Sequence, residues 1–225
     1  METSFDSPSP RDSAAQYAEV SWPRGPRTQL QAFDGDLTVN VAAVLSTRQT
    51  RRNFSAQISL DKLGHLLWLA CRTCTSRPSG MGFDLECRPH PSGGGIHPIH
   101  LVLQRSDGGA LERYNTRGHS LEELPGSELL ASCLREAANK AVATQASTLI
   151  ALVAEPGKTG AKYTHPTSLV MRDAGVILGY LSLCSEVLGL NFCPLGMTGD
   201  EYLKSLDEQG KLRGVGLALI GSRST

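Results

Sequence analysis

The chain has 225 residues, enough for one large domain or two small ones with a real hydrophobic core. Its 22 Lys and Arg are matched by 22 Asp and Glu. That neutrality removes the electrostatic case for wholesale nucleic-acid binding, which shows as a basic domain or stripe.

In chain order, residues 1–36 are rich in Ser, Pro, Arg and Gln and read as a loosely ordered arm, strapped onto the domain or a partner subunit. A single domain, 37–225, follows. Thr38 to Thr47 reads as a short helix or an extended entry. It leads into Arg48-Gln49-Thr50-Arg51-Arg52-Asn53-Phe54, with three arginines and two small polar side chains in seven residues. The guanidinium fork matches phosphate geometry, so the run suits a phosphate-bearing ligand, or else a solvated basic loop. Ser59 is placed to cap a helix carrying Leu60, Leu63, Leu66, Leu67 and Ala70 on one face, with His65 on its surface.

Cys74 to Glu86 reads as a loop, and Pro91-Ser92-Gly93-Gly94-Gly95 as a second one with unusual backbone freedom. Ile96–Gln104 and Ala110–Asn115 read as strands about the turn Asp107-Gly108-Gly109. Glu128 to Thr144 has helical spacing. Ser147 to Ala154 is a continuous apolar run of strand length, expected inside a sheet. Ser168 to Gly189 is the longest helix, apolar nearly all round, to be buried in the core or against a second subunit. Within it, Glu186 interrupts the most apolar stretch and Arg172 and Asp173 flank it, so no membrane span is expected. A short helix from Gly199 and a strand Val215–Ile220 close the chain. Segregated helices and a mixed sheet make the class α+β, in three layers.

The six cysteines are irregularly spaced. Only Cys71-x-x-Cys74 has ligand-like spacing and nothing answers it, so no metal site is expected and a reducing cytoplasm is. The start has no basic region followed by an apolar core, so no secretory signal is expected.

Arg48-x-Thr50-x-Arg52-x-Phe54 with Ile58-Ser59-Leu60-x-x-Leu63 resembles the opening of the nitroreductase-like flavoproteins. Pro91-Ser92-Gly93-Gly94-Gly95-Ile96-His97-Pro98 resembles their second flavin loop. Lys162-Tyr163, Asp173-Ala174-Gly175 and Leu188-Gly189-Leu190-Asn191-Phe192-Cys193-Pro194-Leu195-Gly196 continue in the family's order. Leu111-Glu112-Arg113-Tyr114-Asn115 and His119-x-Leu121-Glu122 resemble one branch of it, the SagB-type dehydrogenases, which include oxidases of peptide thiazolines and oxazolines.

The resemblance implies a homodimeric three-layer α/β/α fold with a mixed, mostly antiparallel sheet, and FMN at the subunit interface. It implies that Arg48 and Arg52 hold the phosphate, that Gln49 and Thr50 reach ribityl or flavin edge atoms, and that Arg223 adds a late phosphate contact. Arg51 falls between the family positions and is expected in solvent or paired with an acid. Pro91, Ser92, Gly93 and Gly94 would approach the flavin, and Leu195 and Gly196 would lie near its reactive edge. Many nitroreductases have asparagine and glutamine where Gly95 and His97 stand, a departure from the generic quinone or nitroaromatic reductases. Lys162 and Tyr163 are the implied catalytic pair; a lysine serves as base when burial or a nearby positive charge lowers its pKa.

Three functions follow from the resemblance. One is a dehydrogenase of a peptide azoline or related small heterocycle. The second is an NAD(P)H-dependent nitro or quinone reductase. The third is a non-catalytic flavoprotein subunit beside a cyclodehydratase in a peptide-modifying complex.

Overall fold

The computed structural model describes residues 7–36, 38–54, 56–143 and 146–223. Over these the chain runs through β1 (Ser9–Pro10), β2 (Arg27–Gln29), α1 (Val41–Thr47), α2 (Leu60–Cys71), β3 (Thr75–Pro78), β4 (Asp84–Cys87), β5 (Ile99–Gln104), β6 (Glu112–Asn115) and β7 (Ser120–Glu123). It continues through α3 (Glu128–Ala141), β8 (Thr148–Ala154), α4 (Pro156–Lys162), β9 (Tyr163–Thr164), α5 (Thr167–Val187), β10 (Leu190–Leu195), α6 (Asp200–Leu203) and β11 (Arg213–Ser222). Residues 1–6 of the arm and Thr144, at the end of an expected helix, lie outside the described residues.

Seven strands form one sheet in the order β10-β11-β8-β5-β6-β7-β2, and each pairing in it is antiparallel. The strand period of two sorts the apolar side chains between its faces. Leu101, Leu103, Ile150, Leu152, Ala218 and Ile220 join one core with α2 and α5. Val102, Leu149, Ala151, Val153, Leu217 and Leu219 join another with α3 and α6. Register keeps like with like: Leu103 pairs with Ile150, and Val102 with Ala151. β8 is buried at every position because strands flank it and helices cover both faces, which is why its sequence is continuously apolar. The result is the expected α+β fold, a largely antiparallel sheet between two helix layers.

Local signals place the helices. Asn40 caps α1 through its side-chain oxygen, 2.9 Å from the Ala42 nitrogen, so the entry segment is helical. Ser59 caps α2, accepting from the Lys62 amide at 3.3 Å. Gly189, at φ +66°, takes the left-handed turn that ends α5.

Several expectations need correction. Cys74 to Glu86 is not one loop: β3 and β4 pair as a hairpin, with Ser76 opposite Glu86. Its polar, Ser- and Pro-containing sequence reads as loop because β3 is fully exposed and carries no apolar alternation. The segment after Gly189, to which the sequence assigns no element, is a strand, β10, paired along its length with β11. His65 is half-buried, its ring edge-on to Phe33 of the arm at 5.3 Å.

The arm lies against the domain over its described length. β1 pairs with β9, and β2 extends the main sheet beside β7. By length and composition α5 is the one described helix that passes as a membrane span. Val170, Ala174, Ile177 and Leu181 on it pack into the core against α2 and β10, so it belongs to the folded domain. All six cysteines are free thiols.

Candidate active site

The glycine loop and the arginines lie at the two ends of α5, and Leu195 at the far end of β10. The glycine loop sits at its N-terminal end. Asp173, buried, accepts the Ser92 hydroxyl at 2.6 Å and the Gly93 amide at 3.0 Å. The same Ser92 oxygen accepts the His97 amide at 2.9 Å. One carboxylate therefore fixes the loop, and both Gly94 and Gly95 take positive φ. Pro91 and Gly94 are exposed on its outer side.

Lys162 and Tyr163 arrive at this loop from the end of α4. The Lys162 ammonium donates to the Gly94 carbonyl at 3.4 Å. A Cβ added to Gly94 would stand 2.8 Å from the Tyr163 hydroxyl and 3.1 Å from the Lys162 Nζ. Sequence positions 68 apart are thus in contact. Gly94→Ala meets both this crowding and an unfavourable φ of +69°. We expect it to lower turnover at least tenfold while the thermal midpoint falls by only about 2–4 °C, the cost of alanine at positive φ, because the clashing atoms are the free ends of two side chains; parallel kinetics and melting curves check this.

The arginines sit at the other end of α5. Arg51 pairs with Glu186 and donates its backbone amide to the Phe192 carbonyl at 3.1 Å. Arg223 donates to the same Glu186 at 3.0 Å and to the Leu190 carbonyl at 3.3 Å. Burial pushes the Glu186 carboxyl up, but Arg51, the Thr47 hydroxyl and Arg223 together outweigh it and hold its pKa below the ordinary value. One carboxylate facing two arginines leaves a positive excess. Arg48, Gln49, Thr50 and Arg52 are exposed, and the Arg48 side chain makes no hydrogen bond or ion pair among the described residues. Arg52 hydrogen-bonds Cys193, two residues before Leu195 on β10. A Cβ on Gly196 would meet nothing within 4 Å. This end suits a phosphate and the chain of atoms attached to it, and the open backbone at Gly196 leaves room for a flat ring.

Asp173 and Glu186 are thirteen positions apart on α5, which at helical rise is about 20 Å. The loop with Lys162 and Tyr163, and the arginines about Glu186, are therefore separate clusters within one chain.

A cavity of about 390 Å³ opens between the β3–β4 hairpin and the glycine loop, lined in part by Arg77, Glu86, Arg88, His90, Gly94 and His97. Burial pushes the Glu86 carboxyl up, yet Arg88, Arg117 and Thr73 outweigh it and hold it at about 2. His90 and His97 are both buried, their rings edge-on at 4.9 Å, with His90 also against Tyr180. His90 Nδ1 lies 3.3 Å from the Pro91 carbonyl, while His90 Nε2 and His97 Nδ1 lack protein partners. Desolvation pushes both pKa values down, His90 to about 4 and His97 to about 3, with Arg88 adding to each.

His90 stands outside the motifs that point to the site in the sequence. The signal available was Pro89-His90-Pro91, a histidine held between two prolines immediately before the loop.

These histidines are neutral in the fold but take up protons near pH 6.5 once unfolded, so the unfolded state binds more protons below that pH. Their stabilising effect is full above about pH 6.5 and falls away as the pH drops towards the folded values. Loss of thermal midpoint between pH 6.5 and 4 is the expected result, and His90→Phe should flatten part of that acid slope. An unchanged slope in the variant would show that His90 does not carry it.

The chain belongs to the Nitroreductase family, whose model matches residues 45–210. Solved structures share the fold. A protein from Ralstonia eutropha JMP134 assigned as a nitroreductase is 20% identical, with 97% of this chain and 99% of that one covered and a TM-score of 0.69. A chain of the Escherichia coli microcin synthetase McbBCD complex, with truncated pro-MccB17 bound, is 17% identical over 86% of this chain and 76% of that one, at 0.56. A protein from Desulfovibrio desulfuricans assigned as a nitroreductase, in complex with FMN, is 16% identical over 84% and 92%, at 0.51. No curated protein matches the sequence.

Proposed function

We propose that the protein is an FMN-dependent dehydrogenase of the SagB type, working as a homodimer in the cytoplasm on a peptide azoline or related heterocycle. The observation that carries this reading is the meeting of Lys162 and Tyr163 with Gly94. It sets a proton-transferring pair against the loop that family resemblance assigns to the flavin.

The cofactor fits the residues present. Arg48, exposed and without a side-chain hydrogen bond or ion pair among the described residues, and the exposed Arg52 would take the phosphate, near the positive excess that Arg51 and Arg223 make over Glu186. Gln49 and Thr50 stand next to them in the chain for the ribityl hydroxyls, and Leu195-Gly196 offers open backbone for the ring. Bound FMN supplies the hydride acceptor at N5.

The two clusters on α5 belong to one site when two chains pair across that helix. Val39, Val41 and Leu45, at and before α1, are exposed, as is Met171 on α5. Gly175 and Gly179 on α5 present backbone with nothing within 4 Å, the kind of surface on which a second helix packs closely. An isologous contact running α5 against its copy brings the N-terminal end of one helix to the C-terminal end of the other. The glycine loop, Lys162 and Tyr163 of one subunit then face the arginines and Leu195-Gly196 of its partner.

In that arrangement Lys162 removes a proton from one ring carbon of the substrate, and the neighbouring carbon gives up hydride. Tyr163, at the same glycine, orients the ring or passes the proton onward. The neutral His90 and His97 keep the adjoining cavity free of added positive charge, which suits an uncharged heterocycle and its flanking amides. The likeness to a chain of the microcin synthetase complex supports a peptide substrate and a cyclodehydratase partner. The deciding experiment offers a synthetic peptidyl thiazoline to FMN-loaded protein under oxygen and follows thiazole formation by absorbance and mass. Oxidation supports the reading. No oxidation, with rapid flavin bleaching by NADPH alone, assigns the protein to the nitro or quinone reductases instead.

A further inference from the structure

The arm before residue 23 passes the Lys162–Tyr163 segment before it reaches the sheet, and most of its contacts are to that segment and its helix. β1 pairs with β9, Ser9 opposite Thr164 and Pro10 opposite Tyr163. The Arg11 amide donates to the Lys162 carbonyl at 2.9 Å, and its Nε donates to the Gly160 carbonyl at 2.7 Å. The Ala15 amide donates to the Ala161 carbonyl at 2.8 Å.

The Tyr17 ring lies on Gly157, where an added Cβ would fall 2.1 Å from it, and its amide donates to the Met81 carbonyl at 2.8 Å in the β3–β4 turn. The Val20 amide ends the run on the Glu155 carboxylate at 2.6 Å. From Glu155 to Thr164 the active segment is tied to the arm at both ends and between.

The sequence of α4 explains why it needs that support. Pro-Gly-Lys-Thr-Gly-Ala-Lys has two glycines and a threonine in seven residues, no side-chain cap, and falls well short of the length at which a helix holds itself. The helix still has to deliver two side chains to one glycine. A weak helix ending in working residues is positioned by what is bonded to it, and here the backbone partners of its last turn are arm residues.

We propose that Ser9, Pro10, Arg11, Ala15 and Tyr17 of the arm are positioning residues, which hold Lys162 and Tyr163 against Gly94 and join that segment to the hairpin wall of the cavity. The arm touches neither the glycine loop nor the arginine cluster through any of these bonds, so it acts through the pair alone. The proposal rests on the reading of Lys162 and Tyr163 as the catalytic pair.

The test uses the full chain loaded with FMN. Arg11→Ala with Ala15→Pro removes two donors, the Arg11 Nε on the Gly160 carbonyl and, through proline, the Ala15 amide on the Ala161 carbonyl. Gly157→Ala attacks the same strap from the other side by displacing the Tyr17 ring. Asp12→Ala, exposed in the same stretch, is the control. Hydrogen exchange over residues 160–164 should quicken at least tenfold in the double variant and in Gly157→Ala, and stay unchanged in Asp12→Ala. FMN content should not move. The kcat on a synthetic peptidyl thiazoline should fall at least tenfold, with KM changing less.

Unchanged exchange in both strap variants overturns the strap. Quickened exchange with full kcat overturns its positioning role, provided Lys162→Ala run beside them is inactive. Full kcat in Lys162→Ala instead removes the catalytic reading, and exchange then decides whether the arm holds the segment at all.

Discussion

Lys162→Ala is expected to keep the yellow FMN spectrum and the dimer but to lose turnover of a peptidyl thiazoline by about 10²–10⁴-fold, the usual contribution of a positioned acid or base. The reason is geometric. Lys162 sits at the end of α4 with its ammonium 3.4 Å from the Gly94 carbonyl and makes no ion pair among the described residues, so truncation leaves no buried charge unpaired. The phosphate end of the proposed site is at the opposite end of α5 in the same chain and loses nothing. Tyr163→Phe retains the ring against Gly94 and removes only the hydroxyl, so its smaller loss measures the share of proton relay. Stopped-flow reduction of the flavin by substrate, at several pH values, separates the proton step from oxygen reoxidation. A Lys162→Ala enzyme with wild-type turnover would remove the lysine from the mechanism.

The second large effect is expected at Asp173, which faces the loop and not the substrate. Its carboxylate accepts from the Ser92 hydroxyl and the Gly93 amide, at 2.6 and 3.0 Å. Hydrogen bonds to a charged group are each worth about 1.5–3 kcal/mol, and losing the acceptor also strands a donor. Asp173→Ala should therefore cost about 3 kcal/mol or more in urea unfolding and free a loop whose Gly94 and Gly95 stand at positive φ. FMN affinity should fall in the same variant, because the loop has lost its shape. Asp173→Asn keeps one acceptor oxygen and should fall between. If FMN binds Asp173→Ala as tightly as the parent, the loop is not part of the cofactor site.

How much of this was legible in the sequence depends on where the signal lies. Strands such as β8 announce themselves because burial on both faces demands continuous apolar side chains. α2 and α5 carry their caps and stops, Ser59 and Gly189, in the sequence itself. The hairpin of β3 and β4 was hidden, since an exposed two-stranded ribbon needs no apolar alternation. β10 was hidden behind its motif: Asn191, Pro194 and Leu195 draw the eye to chemistry and away from the strand they lie on.

The site residues were legible as motifs, and their contacts were not. Nothing in the spacing says that Arg51 and Arg223 share Glu186, or that Asp173 is the pin of a loop 80 residues earlier. The docking of the arm was also unreadable, because much of it runs through backbone amides that any sequence supplies.

The account stands most directly on one measurement: size-exclusion chromatography of the purified chain after reconstitution with FMN, read at the flavin absorbance band. The account predicts flavin co-eluting with a dimer at one FMN per chain. A colourless protein that FMN cannot reconstitute, or flavin bound to a monomer, would contradict it.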